Sequence, residues 1–303
     1  MTINFPEMAK QAAADGAISA DEVLALRRAA WPDGVINAEE ADAMLTINDR
    51  VSSKSPDWAD FLIEAVSEYM LRVDEPHGYV TPAKAAWLIA ALDRDGRLDS
   101  MTELELLARV VEKALGTPED LKAYALRQIE QAVVFGSGPT RDGGALQAGS
   151  ITESECRLLR RMIFASGGDG PGRVSTAEAE MLFRIKDATL GAINAPEWER
   201  LFVQGVANAI QGWQAAKGLS LDRAAELEAF MDDSTSRVSS FLGRMARFGG
   251  VKAAYSARDI DAETRADAAV TGAEQQWLDR MIGADGEIDP AEQALLAFLS
   301  EGR

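Results

Sequence analysis

The chain has 303 residues, and its 31 Lys+Arg against 49 Asp+Glu give a formal net charge of −18, a length that allows one large domain or two of about 150 residues. A hydrophobic content of 47% and a charged content of 26% exclude wholesale disorder, and the acidic balance excludes a nucleic-acid backbone as main partner, since binding one needs clustered cations. A single histidine, His77, and a single cysteine, Cys156, exclude a His-rich zinc site and an intrachain disulfide framework, which fits a reducing compartment.

Taken from the start, residues 1–7 lack the basic stretch and apolar core of a secretory signal. The longest apolar run, residues 85–92, rises about 12 Å as a helix and falls short of a bilayer core of about 30 Å. A cytoplasmic protein with no transmembrane segment is expected. A turn of the form Asp-Gly, one residue, an aliphatic, a cap residue, two more and Glu stands at residues 15–22 and again at 33–40. Trp58, Phe61, Leu62, Ala65, Val66, Tyr69 and Met70 then recur at three- and four-residue steps, which predicts an amphipathic helix entered through Pro56. A looser turn at 95–102 leads to Leu104, Leu107, Ala108, Val111 and Leu115, a second stripe expected to end at Gly116 and to restart at Thr117-Pro118. Residues 136–144 carry the densest Gly/Pro stretch and read as a linker.

Beyond the linker, further copies of the turn occupy 149–155, 172–178 and 285–292, and Trp198, Leu201, Phe202, Gly205, Val206, Ala209 and Ile210 repeat the earlier stripe. Residues 167–172 are Gly-rich but lack a following Lys-Ser/Thr, so they do not read as a phosphate-cradling loop. Between about 214 and 269 lies a segment that the first half lacks. It is acidic at 222–233, and then carries Arg237, Arg244, Arg247, Lys252 and Arg258 around an apolar stripe that includes Phe241, Met245 and Phe248. No segment alternates every second residue. The expected fold class is therefore all-α with no substantial sheet, any pairing being limited to two-residue bridges.

The halves also match in order. Arg27-Arg28 lies over Arg160-Arg161, Glu40-Ala41-Asp42 with Ile47 and Asp49 over Glu178-Ala179-Glu180 with Ile185 and Asp187, Ser55-Pro56-Asp57-Trp58 over Ala195-Pro196-Glu197-Trp198, and Trp87-Leu88 over Trp277-Leu278. This order predicts two tandem duplicated helical units, 1–135 and 149–303, joined by a linker at 136–148, the second with an insertion at about 214–269. The first unit carries 13 basic and 24 acidic residues and the remainder 18 and 25, so acidity is shared rather than confined to a tail.

Each position of the turn has a local physical reason. Glycine takes the positive-φ conformation that reverses the chain, and the aliphatic points inward, where residues of adjacent turns are expected to pair over a short bridge. The Ser, Asn, Asp or Thr then caps the next helix, and the Glu three residues on reaches back to the cap's amide. The spacing resembles the second half of an EF-hand loop, and the acidic repeats with Asp-Gly-x-Ile-x-x-x-Glu turns resemble the tellurite-resistance TerB-like family. That resemblance implies a helical fold with carboxylate-rich loops. The match to a calcium loop breaks at its first place, where Gln11, Ala29, Ala91 and Met281 stand instead of the Asp such a loop needs.

The turns are accordingly expected to be structural, and the protein to be a non-enzymatic acidic interaction or scaffold protein of the TerB-like, bacterial-stress kind. The alternative is a divalent-cation (Ca²⁺) binding protein, with Asp93, Asp95, Asp99 and Glu103, or Asp285, Glu287, Asp289 and Glu292, as candidate ligands drawn from facing turns. A carboxylate-based hydrolase ranks third, with no catalytic residue singled out. The expected partner is a protein, held through Arg237, Phe241, Arg244, Met245, Arg247 and Phe248. Residues 237–258 are also the candidate for peripheral contact with an anionic surface.

Overall fold

The protein is described by a computed structural model that covers residues 5–12, 14–30, 35–93, 98, 100–136, 138, 140, 148–165, 172–210, 221, 222, 224, 225, 272–282, 284 and 286–301. The fold is all-α. Twelve helices occur among the described residues: α1 (Phe5–Ala12), α2 (Ala20–Ala30), α3 (Ala38–Arg50), α4 (Pro56–Arg72), α5 (Pro82–Leu92), α6 (Met101–Lys113), α7 (Glu119–Phe135), α8 (Glu153–Ile163), α9 (Thr176–Ala188), α10 (Trp198–Ile210), α11 (Gly272–Ile282) and α12 (Pro290–Glu301). None is long and apolar enough to cross a membrane. The sequence around 214–269, including Arg237 and Phe241 through Phe248, and the Gly-rich stretch at 166–171 lie outside the described residues apart from 221, 222, 224 and 225.

The helices begin where the turn chemistry places them. Asn37 and Glu40 cap α3, Ser100 and Glu103 cap α6, Thr152 and Glu155 cap α8, and Ser175 and Glu178 cap α9, each as a reciprocal capping box. Two further pairs follow the same pattern. Ser19 N donates to Glu22 Oε2 (2.9 Å) and Glu22 N to Ser19 Oγ (3.3 Å), while Asp289 N donates to Glu292 Oε2 (3.1 Å) and Glu292 N to Asp289 Oδ1 (3.0 Å). Each box satisfies two otherwise orphaned amides and contributes on the order of 1 kcal/mol. Gly16 and Gly286 hold φ of 79° and 81°, the left-handed region that a side chain disfavours.

The stripes predicted from periodicity form the core. Trp58, Phe61, Leu62, Ala65, Val66 and Met70 of α4 are all fully buried, and Trp198, Leu201, Phe202 and Val206 of α10 are buried likewise. Helix α4 packs on α2, α3 and α6, and helix α10 packs on α8, α9 and α12. At the entry to each, the same bond recurs: Ser55 N donates to Ile18 O (2.9 Å) and Ala195 N to Ile151 O (2.8 Å). Helix α7 packs on α5 and α6 and equally on α8 and α9, and Gly149 N donates to Val133 O (2.9 Å). The chain therefore leaves α7 and returns beside its last turn.

Two expectations need correction. The second stripe's helix stops at Lys113, three residues before Gly116, and Leu115 is 59% exposed. Gly116 instead bridges Tyr79, close enough that a Cβ at 116 would lie 2.8 Å from the tyrosine ring. The aliphatic residue of the first turn does not pair with that of the next. Strand β1 (Ala17–Ile18) runs parallel to β2 (Ser53–Lys54), the segment ahead of α4.

Candidate functional site

The carboxylates that the sequence marks as candidate ligands are held by the protein's own donors. At the start of α6, the buried Glu103 accepts from Ser100 N through Oε2 (3.3 Å) and from Asn48 Nδ2 through Oε1 (2.9 Å). The Oδ1 of Asn48, in turn, accepts from Trp58 Nε1 (3.1 Å). Asp93 closes α5 and accepts from Tyr124 OH (3.4 Å). Burial, followed by the charge of Asp93, pushes the Tyr124 phenol well above its ordinary range. Asp95, Asp99 and Asp285 lie outside the described residues, and Glu287 is exposed.

At the start of α12 the structure does bring two predicted residues together, on a lysine. The buried Lys186 Nζ of α9 bonds Asp289 Oδ2, Glu292 Oε1 (3.0 Å) and Asp187 Oδ1 (2.7 Å). Its side chain is 3% exposed, and those of Asp289 and Glu292 are 7% and 2% exposed. Burial works against the charge on Lys186, but bonds to Asp187, Asp289 and Glu292 outweigh it and hold the ammonium above the ordinary lysine value. Burial alone would raise Asp289, yet Lys186 and the amides of Glu292 and Ala291 hold it below the usual carboxylate range. An ammonium so held is a poor nucleophile and a poor Schiff-base former, because both need the neutral amine.

The same arrangement recurs between α7 and α9, where the buried Lys122 Nζ lies 2.5 Å from the capping Glu178 Oε1. Glu155, at the start of α8, accepts from Thr140 Oγ1 (2.6 Å). Among the described residues, no group of three or more His, Cys, Asp or Glu is arranged to hold a metal ion. Sequence reasoning missed Asn48, Lys122 and Lys186. One signal for two of them was present, since Asn48 sits between Ile47 and Asp49 as Lys186 sits between Ile185 and Asp187.

Three of the surface concavities among the described residues adjoin these groups or the helix faces beside them. The first, about 350 Å³, lies between the α9–α10 loop and α12, with Leu190, Pro196, Trp198 and Pro290 on its walls and Lys186 and Asp289 at its floor. Its loop presents Leu190 at 56% exposure and Ile193 at 97%. Asn194 fixes that loop by accepting from Ile151 N (3.0 Å) and donating to Thr189 O (3.0 Å). The second, about 240 Å³, lies over the Lys122–Glu178 pair and is bordered by Arg184, which is bidentate to Glu130 (2.6 and 3.1 Å). The third, about 1020 Å³, is a groove along α4 and α6 with Ile63, Ser67 and Leu71 on one side and Glu105, Arg109 and Lys113 on the other. The one histidine and the one cysteine stand apart. His77 is exposed at the rim of this groove, while Cys156 is a free, buried thiol whose pKa burial and then Glu197 and Glu155 push up to about 12. No protein-family model, no curated protein and no solved structure matches this chain.

Proposed function

We propose that the protein is a non-enzymatic helical interaction protein of the cytoplasm, a scaffold that offers preformed surfaces to a protein partner. The observation that carries this reading is the α9–α10 loop. Asn194 fixes its backbone while Leu190 and Ile193 stand exposed on a loop that borders a concavity of mixed polar and apolar lining. A rigid loop that presents aliphatic side chains to solvent lowers the entropy lost on docking, and exposed apolar clusters rimmed by polar groups mark interaction sites.

The fate of the turn carboxylates supports the same reading. Glu103, Glu178 and Glu292 are buried as caps facing Asn48, Lys122 and Lys186, which leaves them ill placed to act as general acids or bases. The net charge of −18 favours a protein partner over a nucleic acid. The tandem-copy organisation and the TerB-like, stress-related setting belong to this proposal as well. The first is supported by the matched entry bonds of α4 and α10, the second by the turn motif alone.

The test is site-specific photo-crosslinking in cells that make the protein. A photoreactive side chain at position 193 is expected to give a discrete protein adduct, lost on Leu190→Lys. Irradiation that yields no adduct, or one indifferent to Leu190, contradicts the reading.

A further inference from the structure

Among the described residues, the α4–α6 groove holds two unmatched cations at one end and an unmatched acid at the other. Ser67, 8% exposed, has a buried Oγ with no hydrogen-bond partner among the described residues. Arg109 and Lys113, one turn apart on α6, have no ion-pair partner among the described residues, in a chain of net charge −18. The other groove arginines are matched, Arg72 to Glu68 (3.5 Å) and Arg161 to Glu105 (2.7 Å) and Glu112 (3.0 Å). Asp60, at the N-terminal end of the groove, has no ion-pair partner among the described residues. Helices α4 and α6 finish side by side, since Gly78 N donates to Leu71 O in the last turn of α4 (2.6 Å) and Gly78 O accepts from Leu115 N just past α6 (2.7 Å). The C-terminus of α6, which carries about half a negative charge, therefore lies at the basic end, while that of α4 is already met by Lys84 Nζ on Tyr69 O (2.6 Å).

We propose that this groove receives an amphipathic helix of a partner protein, laid antiparallel to α4 and α6. Its acidic first turn meets Arg109 and Lys113, its apolar residues cover Ile63 and Leu71, and a basic residue about three turns later meets Asp60. Length selects a helix over a small anion. From residue 60 to residue 72 the groove runs along α4 for about 18 Å at 1.5 Å per residue, and its 1020 Å³ exceeds what one anionic group fills. The direction follows from electrostatics. An incoming N-terminus brings partial positive charge and free amides to the C-terminus of α6, and Asp or Glu in its first turn meets Arg109 and Lys113 and is favoured there on its own account. The inference rests on the interaction reading but uses a surface other than Leu190 and Ile193.

The probe is a labelled 15-residue helical peptide with Glu in its first turn, Leu at three- and four-residue steps and Lys in its last turn. It is compared, by fluorescence anisotropy with the full chain at low salt, with a peptide of the same composition and inverted charge order. The acid-first peptide is expected to bind at least about tenfold more tightly, and Arg109→Glu with Lys113→Glu is expected to invert the ranking. Both positions are exposed, and an unchanged melting curve confirms that the double variant folds. Equal binding of the two peptides, no binding up to about 100 µM, a ranking indifferent to the double substitution, or displacement by free glutamate as complete as by unlabelled peptide overturns the proposal. If the groove fails while the adduct at position 193 persists, the interaction reading stands without it.

Discussion

Replacing Lys186 by Met removes the cation between two carboxylates whose side chains are 7% and 2% exposed. Methionine fills much of the lysine's volume, so the loss is electrostatic rather than a cavity. Breaking a buried pair by deleting one partner costs about 3–5 kcal/mol, a large share of the 5–15 kcal/mol typical of a whole domain. The acidic cap of α12 suffers with it, because Asp289 and Glu292 hold that helix start and now repel each other. Urea denaturation of wild type and variant, followed by circular dichroism, measures the difference. Adding Asp289→Asn and Glu292→Gln should recover more than half of the loss, since both amides keep an oxygen for the capping bonds. The pH dependence has a definite sign. Asp289 is held below its ordinary 3.8, so its contribution is present above that value and fades as pH falls through the lower folded value. Lys186 is held above its ordinary 10.5, so its contribution is complete below 10.5 and fades as pH rises through the higher folded value. The gap between wild type and variant should narrow on the acid side, because burial raises Asp289 once Lys186 is gone and its protonation relieves the variant first. A loss under about 1 kcal/mol, or a gap that does not narrow in acid, refutes the reasoning.

Two further outcomes follow from the same structure. Asn48→Leu removes the acceptor of Trp58 Nε1 and one donor to Glu103 Oε1 in a site where Asn48 is 1% exposed, and should cost about 2–4 kcal/mol by urea denaturation; a neutral result means that neither bond stabilises the fold. Cys156, 3% exposed with its thiol pushed up to about 12, should react with a thiol reagent at pH 8 only as the protein unfolds. Full labelling of native protein within mixing time contradicts that.

Much of the fold was legible because it is written locally. The apolar steps of α4 and α10 and the cap residues at 37, 100, 152 and 175 each act within a few residues of themselves, so the sequence carries them directly. The polar contacts that join helices are different. Lys186 looks like a surface lysine beside Asp187, and only the approach of residues 289 and 292 makes it a buried anchor. Lys122 owes its burial to α9 in the same way. The pairing of Ile18 with the chain ahead of α4, rather than with the next turn, was illegible for the same reason. It depends on how α2 and α3 fold back to bring residue 53 alongside residue 17. At the α4–α6 groove the charges were visible in the sequence. What made Arg109 and Lys113 stand out was the structural fact that, among the described residues, Arg72 and Arg161 find acids and they do not.

The central claim is that the recurring turns start helices through their own caps and buried cations, with no ion required. Calorimetric titration of chelator-treated protein with Ca²⁺, paired with melting curves, tests it most directly. A site that bound calcium at one hundredth of the added concentration would stabilise the fold by about 2.7 kcal/mol. The account predicts heats of dilution alone and an unchanged melting temperature at millimolar Ca²⁺. A saturable heat accompanied by a rise in melting temperature contradicts it.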